Sequence, residues 1–409
     1  MTTTTAPLSV LGGRSIEKKA GKVSRFYRPE LDAIRFFLFL GVLFHHSVDN
    51  AGTQGWAKIP LLAPAMQIVH DASGFALSFF FFLSSYLITC LLQMEKKKTG
   101  TLCLKNFYIR RMLRLWPLYV GYLLLCCVLH FANGHHYPLT AGAIASMLLF
   151  SGNWYMILHG DFPGVILFHL WSISVEEQFY VLFPFFAKRA TTVQLQRACI
   201  AICVGSLGVT WVLVAHGTSA MHVWANSFVE SIFFASGALF ALRRPMDSPL
   251  KSGRRAALGI AAGLVLWGLA QMGGLTNVSR TLHPLSATLA FATADLGCIC
   301  MLWGALYVPT QLLPKFLVYL GRIAFGLYVF HMFIIDLVRY TYSLYFHIPG
   351  SALVVELVLC ILVATVSYEY FEKPFLKLKH RFEVVHSRTT ESSTPSAIPA
   401  GSLGMHQQS

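Results

Sequence analysis

Long apolar runs recur along this chain, separated by loops that are alternately basic and free of charge, and this pattern limits the possible folds more than any other feature. A backbone in hydrocarbon must satisfy its own hydrogen bonds, so such runs are accommodated as helices. Hydropathy in windows of about 19 residues picks out segments near 31–48, 75–92, 116–132, 196–215, 225–242, 256–273, 285–307, 323–344 and 352–371. Two further apolar pieces lie within 141–187. Only 12% of the residues are charged, about half the share usual in soluble chains. The class expected is all-α, a polytopic membrane protein.

The basic residues give the chain a direction. Segments 1–30, 93–115, 188–197, 243–255, 308–322 and 373–409 hold 28 of the 32 Lys and Arg, leaving Arg35, Lys58, Arg280 and Arg339 elsewhere. By the positive-inside rule both termini are cytoplasmic and the number of spans is even. The stretch 133–140 has no Lys or Arg, whereas Lys188 and Arg189 read as inside, so 141–187 makes one net crossing. The expectation is about ten transmembrane helices, with 170–187 crossing and 141–157 short, re-entrant or interfacial. Three crossings in that region is the alternative. The net charge of +14 follows from this loop asymmetry, so no nucleic-acid partner is expected.

Residues 1–27 read as a disordered basic arm without a secretory apolar core, 28–380 as the membrane domain and 381–409 as a disordered cytoplasmic tail rich in Ser, Thr and Pro. No internal repeat is visible and no soluble second domain is expected. Nearly all the cysteines lie in apolar runs, and the spacings of Cys199 with Cys203 and of Cys298 with Cys300 do not resemble a zinc site, so no metal is expected.

Four clusters depart from a plain lipid-facing composition. The first is Arg28–Ser47, RPELDAIRFFLFLGVLFHHS. An ionisable group within a span costs at least about 2.5–3.5 kcal/mol on insertion scales. Arg35 and His46 are eleven residues apart, which in a helix puts them within ~20° of one face and about 16 Å apart along the axis. His45 points about 80° away from Arg35, and Asp32 is placed to pair with Arg35. The plainer alternative is a snorkelling arginine and a hydrogen-bonded core histidine.

The second cluster is KNFYIRRMLRLWPLY, in which Arg111 and Arg114 share a helix face suited to phosphate oxygens, although a positive-inside flank would have the same composition. The third is HLWSISVEEQFYVLFP, where Glu176, Phe179 and Tyr180 share a face and Glu176 is expected at the depth of His46. A histidine oriented by a carboxylate is what a general base needs. Between Glu176 and Glu177 the choice is open, with Glu176 preferred. The fourth is GRIAFGLYVFH with the closing SYEYFEKPF, where His331 serves as a helix-to-helix hydrogen bond or as part of the chemistry. Glu230, Asp295 and Arg339 read as interhelical pairs, and His135 and His136 as incidental loop residues.

Taken together and in order, RPELDAIRFFLFLGVLFHH, FFFFLSSYLIT, YIRRMLRLWPLY, HLWSISVEEQFY, GLYVFH and YFEKPF resemble the acyltransferase family three of membrane acyltransferases, over roughly residues 28–380. The resemblance implies transfer of an acyl group, commonly acetyl from acetyl-CoA, to a hydroxyl of a carbohydrate or related acceptor at the bacterial inner membrane. It implies Arg35 and His46 as marks of the active site and carries over Arg111, Arg114 and Glu176; the expectation is that His46 and Glu176 are catalytic and that Arg35, Arg111 and Arg114 hold the acyl-CoA. Asp32, Ser84, Trp171, Tyr180 and His331 are expected to support them. The family has Ser-Gly where this chain has Ser84 and Ser85, so a side chain is added at a close helix contact. The soluble esterase-like domain fused to some relatives is not seen, so a second step is expected to need another protein.

The expected partners are the bilayer, acyl-CoA, a carbohydrate acceptor and polysaccharide synthesis machinery. Exopolysaccharide, lipopolysaccharide, peptidoglycan, a lipo-oligosaccharide and a macrolide-like molecule all remain open as acceptors. A transporter or flippase for a lipid-linked sugar would use the same charges as a polar pathway, but the repeats of that class are not visible.

Overall fold

The computed structural model describes residues 27–48, 62–132, 139–160, 164–244, 251–276, 281–345, 351–383 and 385. The N-terminal arm up to residue 26, His135, His136 and most of the expected tail lie outside the described residues. Among the described residues every regular element is helical. In chain order they are α1 (Pro29–Ser47), α2 (Leu62–Ser73), α3 (Phe75–Thr99), α4 (Leu104–Ala132), α5 (Ala141–Leu148), α6 (Gly152–His159), α7 (Val165–Phe168), α8 (Trp171–Arg189), α9 (Thr192–Ala215) and α10 (Ala220–Trp224). There follow α11 (Ser227–Arg243), α12 (Gly253–Ala270), α13 (Pro284–Tyr307), α14 (Lys315–Arg322), α15 (Ala324–Tyr345), α16 (Ser351–Val366) and α17 (Lys373–Lys379), with a π-helical stretch Ser367–Glu372 before α17.

Each expected span coincides with a helical stretch, two of them ending in a π or 3-10 segment. Seven helical stretches are long and apolar enough to cross a membrane by length and composition: Ala63–Thr99, Leu104–Ala132, Thr192–Ala215, Gly253–Gly273, Pro284–Tyr307, Ala324–Thr341 and Ala352–Phe382. The other expected spans are α1, which carries Glu30, Asp32 and Arg35, α8, which carries two glutamates and a basic end, and α11, which is 17 residues long.

The ambiguous region 141–157 folds as α5 and α6, each of 8 residues and therefore about 12 Å long, while α8 is the long helix that follows. Partly buried polar groups tie this short hairpin to α8 and α11. Gln178 donates to the Phe150 carbonyl at 2.8 Å and to Asn153 Oδ1 at 3.0 Å, and Asn153 donates in turn to Ser227 Oγ at 2.8 Å.

Glycines set the closest helix contacts, as membrane packing favours. On α12 and α13, a Cβ added at Gly259 would meet Gly304 Cα at 2.6 Å. On α11, one at Gly237 would meet the Phe82 carbonyl of α3 at 2.3 Å. The extra side chain at Ser85 lies at this same contact, and its buried hydroxyl donates to the Phe234 carbonyl of α11. The expected interhelical role of three charges takes the form of hydrogen bonds: Ser78 donates to Glu230, Ser236 donates to Asp295, and Arg339 donates to the His46 carbonyl at 2.7 Å.

Candidate active site

Helix α1 runs through the middle of the site and supplies both of its ends. Near its first turn Arg35 Nη1 donates to Asp32 Oδ1 at 2.8 Å, the i, i+3 pair expected. Asp32 is buried, and its backbone meets α14 at Gly321, where a Cβ would stand 1.7 Å from the Asp32 carbonyl oxygen. At the other end the carbonyls of His46 and Ser47 accept from Arg339 Nη2 at 2.7 and 3.4 Å. A guanidinium there complements the negative end of the helix dipole and ties α1 to α15.

Two cavities lie along α1, named inner and outer after the orientation expected from the basic loops. The inner one contains Arg35, Arg111, Arg114, Ser84, Glu176 and Tyr180. Arg111 and Arg114 share it as their spacing implied. The Arg111 guanidinium sits 4.9 Å from the centre of the Tyr180 ring, a cation–π distance. Arg110, between the basic flank and the C-terminal segment, is engaged by Glu95 at 2.9 Å and the Phe382 carbonyl at 2.8 Å. The folded chain extends past the expected boundary at 380, since Lys379, Glu383 and Val385 also line this cavity.

The outer cavity, about 360 Å³, falls in the size range of small-molecule sites. It is lined by His45, His46, His70, Asp71, His169 and Trp171 among others. His45 does turn away from the Arg35 face: its Nδ1 donates to the His70 carbonyl at 3.0 Å and its ring stacks on His70 at 4.6 Å. His70 in turn contacts Asp71 Oδ1 and the His45 carbonyl, both at 3.0 Å. The His46 ring lies 5.4 Å from that of His331, and the His331 ring lies 4.8 Å from that of His169.

The expected contact between His46 and Glu176 is not made. Glu176 belongs to the inner cavity, where its Oε1 accepts from the Ser84 and Tyr180 hydroxyls. Both residues were expected in the outer halves of their helices. Depth along an axis does not show that His46 and Glu176 line different cavities, which share Leu77 and Tyr328 among the described residues. Glu177 lines neither. His331 takes the position beside His46. Its Nδ1 donates to the Tyr328 carbonyl, so Nε2 is left as an acceptor, buried and without a hydrogen-bond partner. The same holds for His169, whose Nε2 donates to the Val329 carbonyl at 3.0 Å and whose Nδ1 has no partner.

His70 and Asp71 escaped the sequence reading. They lie on α2, in the helical stretch Ala63–Thr99 that continues into an apolar span, and two ionisable residues there were the available signal. On the late helix, Lys373 pairs with Glu369, while Glu372 accepts from Ser367.

Three comparisons bear on this geometry. The family model described as Acyltransferase domain matches residues 28–369. The chain is 27% identical over 378 residues to O-acetyltransferase OatA of Staphylococcus aureus (strain NCTC 8325 / PS 47), covering 86% of this chain and 57% of that protein. It is 28% identical over 388 residues to Peptidoglycan O-acetyltransferase OatA of Listeria monocytogenes serovar 1/2a, covering 88% of this chain and 57% of that one. The chain thus spans little more than half the length of these relatives. No solved structure matches it.

Proposed function

The chain belongs to the family defined by this acyltransferase domain, and from that premise we propose that it is a membrane O-acetyltransferase drawing on acetyl-CoA. The observation that carries the reading is the pairing of an arginine cavity with a histidine cavity at the two ends of one helix, with a shared wall at Leu77 and Tyr328. The acceptor we put first is a peptidoglycan hydroxyl, because peptidoglycan stands in the name of the Listeria relative. The setting is the bacterial inner membrane, crossed by about ten helices with both termini cytoplasmic.

Arg111 and Arg114, with Arg35 further in, suit the phosphates and the acyl end of the donor. The inner cavity, about 170 Å³, is below the range of sites that enclose a whole cofactor-sized ligand. The nucleotide would therefore stay at the basic mouth while the thioester-bearing arm enters. His46 would take the proton of the acceptor hydroxyl, a base role usually worth about 10²–10⁴ in rate, with His331 Nε2 accepting from its other ring nitrogen. Glu176 would serve the donor side, fixing Tyr180 beneath Arg111.

His46→Ala in the full chain should abolish acetyl transfer from labelled acetyl-CoA to cell-surface glycan at unchanged expression; near-normal labelling would overturn the assignment. Acetyl label in the glycan also separates this reading from a lipid-linked sugar transporter, which would move glycan without acetylating it.

A further inference from the structure

Among the described residues, Leu77 and Tyr328 are the two that line both cavities. Leu77 offers only hydrocarbon, whereas Tyr328 brings a hydroxyl. That hydroxyl hydrogen-bonds Ser172 Oγ and stands 2.9 Å from the His169 carbonyl oxygen, and the Ser172 hydroxyl is 3.0 Å from the same carbonyl. Three contacts join two hydroxyls and one carbonyl, yet each hydroxyl carries one proton. One contact is therefore always without a proton. The Tyr328 proton can turn toward a new acceptor while Ser172 donates to the Tyr328 oxygen, and the His169 carbonyl keeps the Ser172 N–H at 3.4 Å.

The tyrosine ring is held independently of its hydroxyl. It lies 5.2 Å from the His331 ring, 5.4 Å from His169 and 6.5 Å from Phe80. Helix α15 presents Tyr328 and His331 on one face three residues apart, so the hydroxyl and the histidine beside His46 are fixed by the same backbone.

We propose that Tyr328 is a further catalytic residue, whose hydroxyl, backed by Ser172 as a positioning residue, hydrogen-bonds the acyl carbonyl oxygen of the donor at the wall between the cavities. This rests on the acetyl-transfer reading above. The acceptor oxygen bonds to the carbonyl carbon as its proton passes to His46. The carbon–sulfur bond then breaks with its electron pair on sulfur, and His46 returns the proton to that sulfur. Between these events the carbonyl oxygen carries the negative charge, and a hydroxyl donor fixed there lowers its energy most.

The test uses the full chain in lipid nanodiscs, with acetyl-CoA and soluble peptidoglycan fragments under conditions where the wild type transfers. Tyr328→Phe should lower kcat about 10²–10³-fold, while KM for acetyl-CoA and coenzyme A binding stay within about twofold. Ser172→Ala should lower kcat about tenfold, and Ser172→Thr, which keeps the hydroxyl, should recover most of it. Tyr328→Phe with wild-type kcat beside an inactive His46→Ala overturns the tyrosine's role and leaves the general reading standing. Loss of coenzyme A binding in Tyr328→Phe makes the residue structural and also overturns it. An active His46→Ala overturns the reading itself.

Discussion

Gly321→Ala is a one-carbon change with a large consequence. The new Cβ would stand 1.7 Å from the Asp32 carbonyl oxygen and 2.2 Å from its carbonyl carbon, both backbone atoms that no rotamer change can remove. Ordinary contact begins at 3.4 Å, so α1 and α14 must part by about 1.7 Å at this point. Overpacking of a core costs about 1–3 kcal/mol, and backbone-to-backbone contact puts this case at the upper end. Asp32 holds Arg35, so the shift moves the inner cavity's arginine as well. A misplacement of about 1 Å can cost ~10²-fold in rate. The assay is a thermal melt of the purified protein in detergent beside acetyl-transfer kinetics. Gly208→Ala is the control, since nothing lies within 4 Å of its added Cβ, and it should match or exceed wild-type stability by the ~1 kcal/mol helical advantage of alanine. A Gly321→Ala protein that melts and turns over like the wild type would refute the reasoning about how α1 is seated.

The arginines should separate by role. Arg111→Ala should raise KM for acetyl-CoA about 10- to 100-fold, as expected for a lost charge-assisted bond, and Arg111→Lys should not restore it because the planar stack on Tyr180 is lost. Arg110→Ala should instead lower thermal stability, releasing Glu95 and the Phe382 carbonyl while KM changes little. Glu176→Ala should cost about 1–3 kcal/mol for each stranded hydroxyl and weaken donor binding, whereas Glu177→Gln should leave transfer unchanged; equal loss in both would contradict the placement of Glu176 at the inner cavity. For Glu383, burial works against the carboxylate, but Lys379 and His380 prevail and hold it below its ordinary value of 4.5. A depressed carboxylate stabilises above the unfolded value and loses that contribution as pH falls through the folded one. Limited proteolysis of the C-terminal segment should therefore accelerate only below about pH 4.5, and Glu383→Gln should flatten that dependence.

The sequence made the helices legible because spanning lengths and loop charges leave so few solutions in hydrocarbon. Helical periodicity also located the pairs that depend on a single element: Asp32 with Arg35, Arg111 with Arg114, and His45 turned off the Arg35 face. Partners on different helices were harder. The depth of Glu176 along its axis was compatible with His46, but depth carries no information on which neighbour a face meets, and α8 turns that carboxylate to Ser84 and Tyr180. His331 stood in the reading only as a hydrogen bond or a catalytic part, because its ring neighbour is set by the packing of α15 on α1. His70 and Asp71 lay in a short helix ahead of a span, where hydropathy windows average polar residues away.

The wall of Leu77 and Tyr328 bears on the membrane as an insulator. A cell that keeps a voltage across its bilayer holds about 2.3 kcal/mol per elementary charge for every 100 mV, and an open polar channel through a protein would drain it. The arginine and histidine cavities share Leu77 and Tyr328, a hydrocarbon side chain and an aromatic ring with one hydroxyl. An acetyl group is small and uncharged enough to be handed across such a partition, while sodium ions and the phosphates of the donor are not. On the proposed reading the seal and the site of chemistry are the same few atoms, and an acyl group would pass between the cavities without opening a leak.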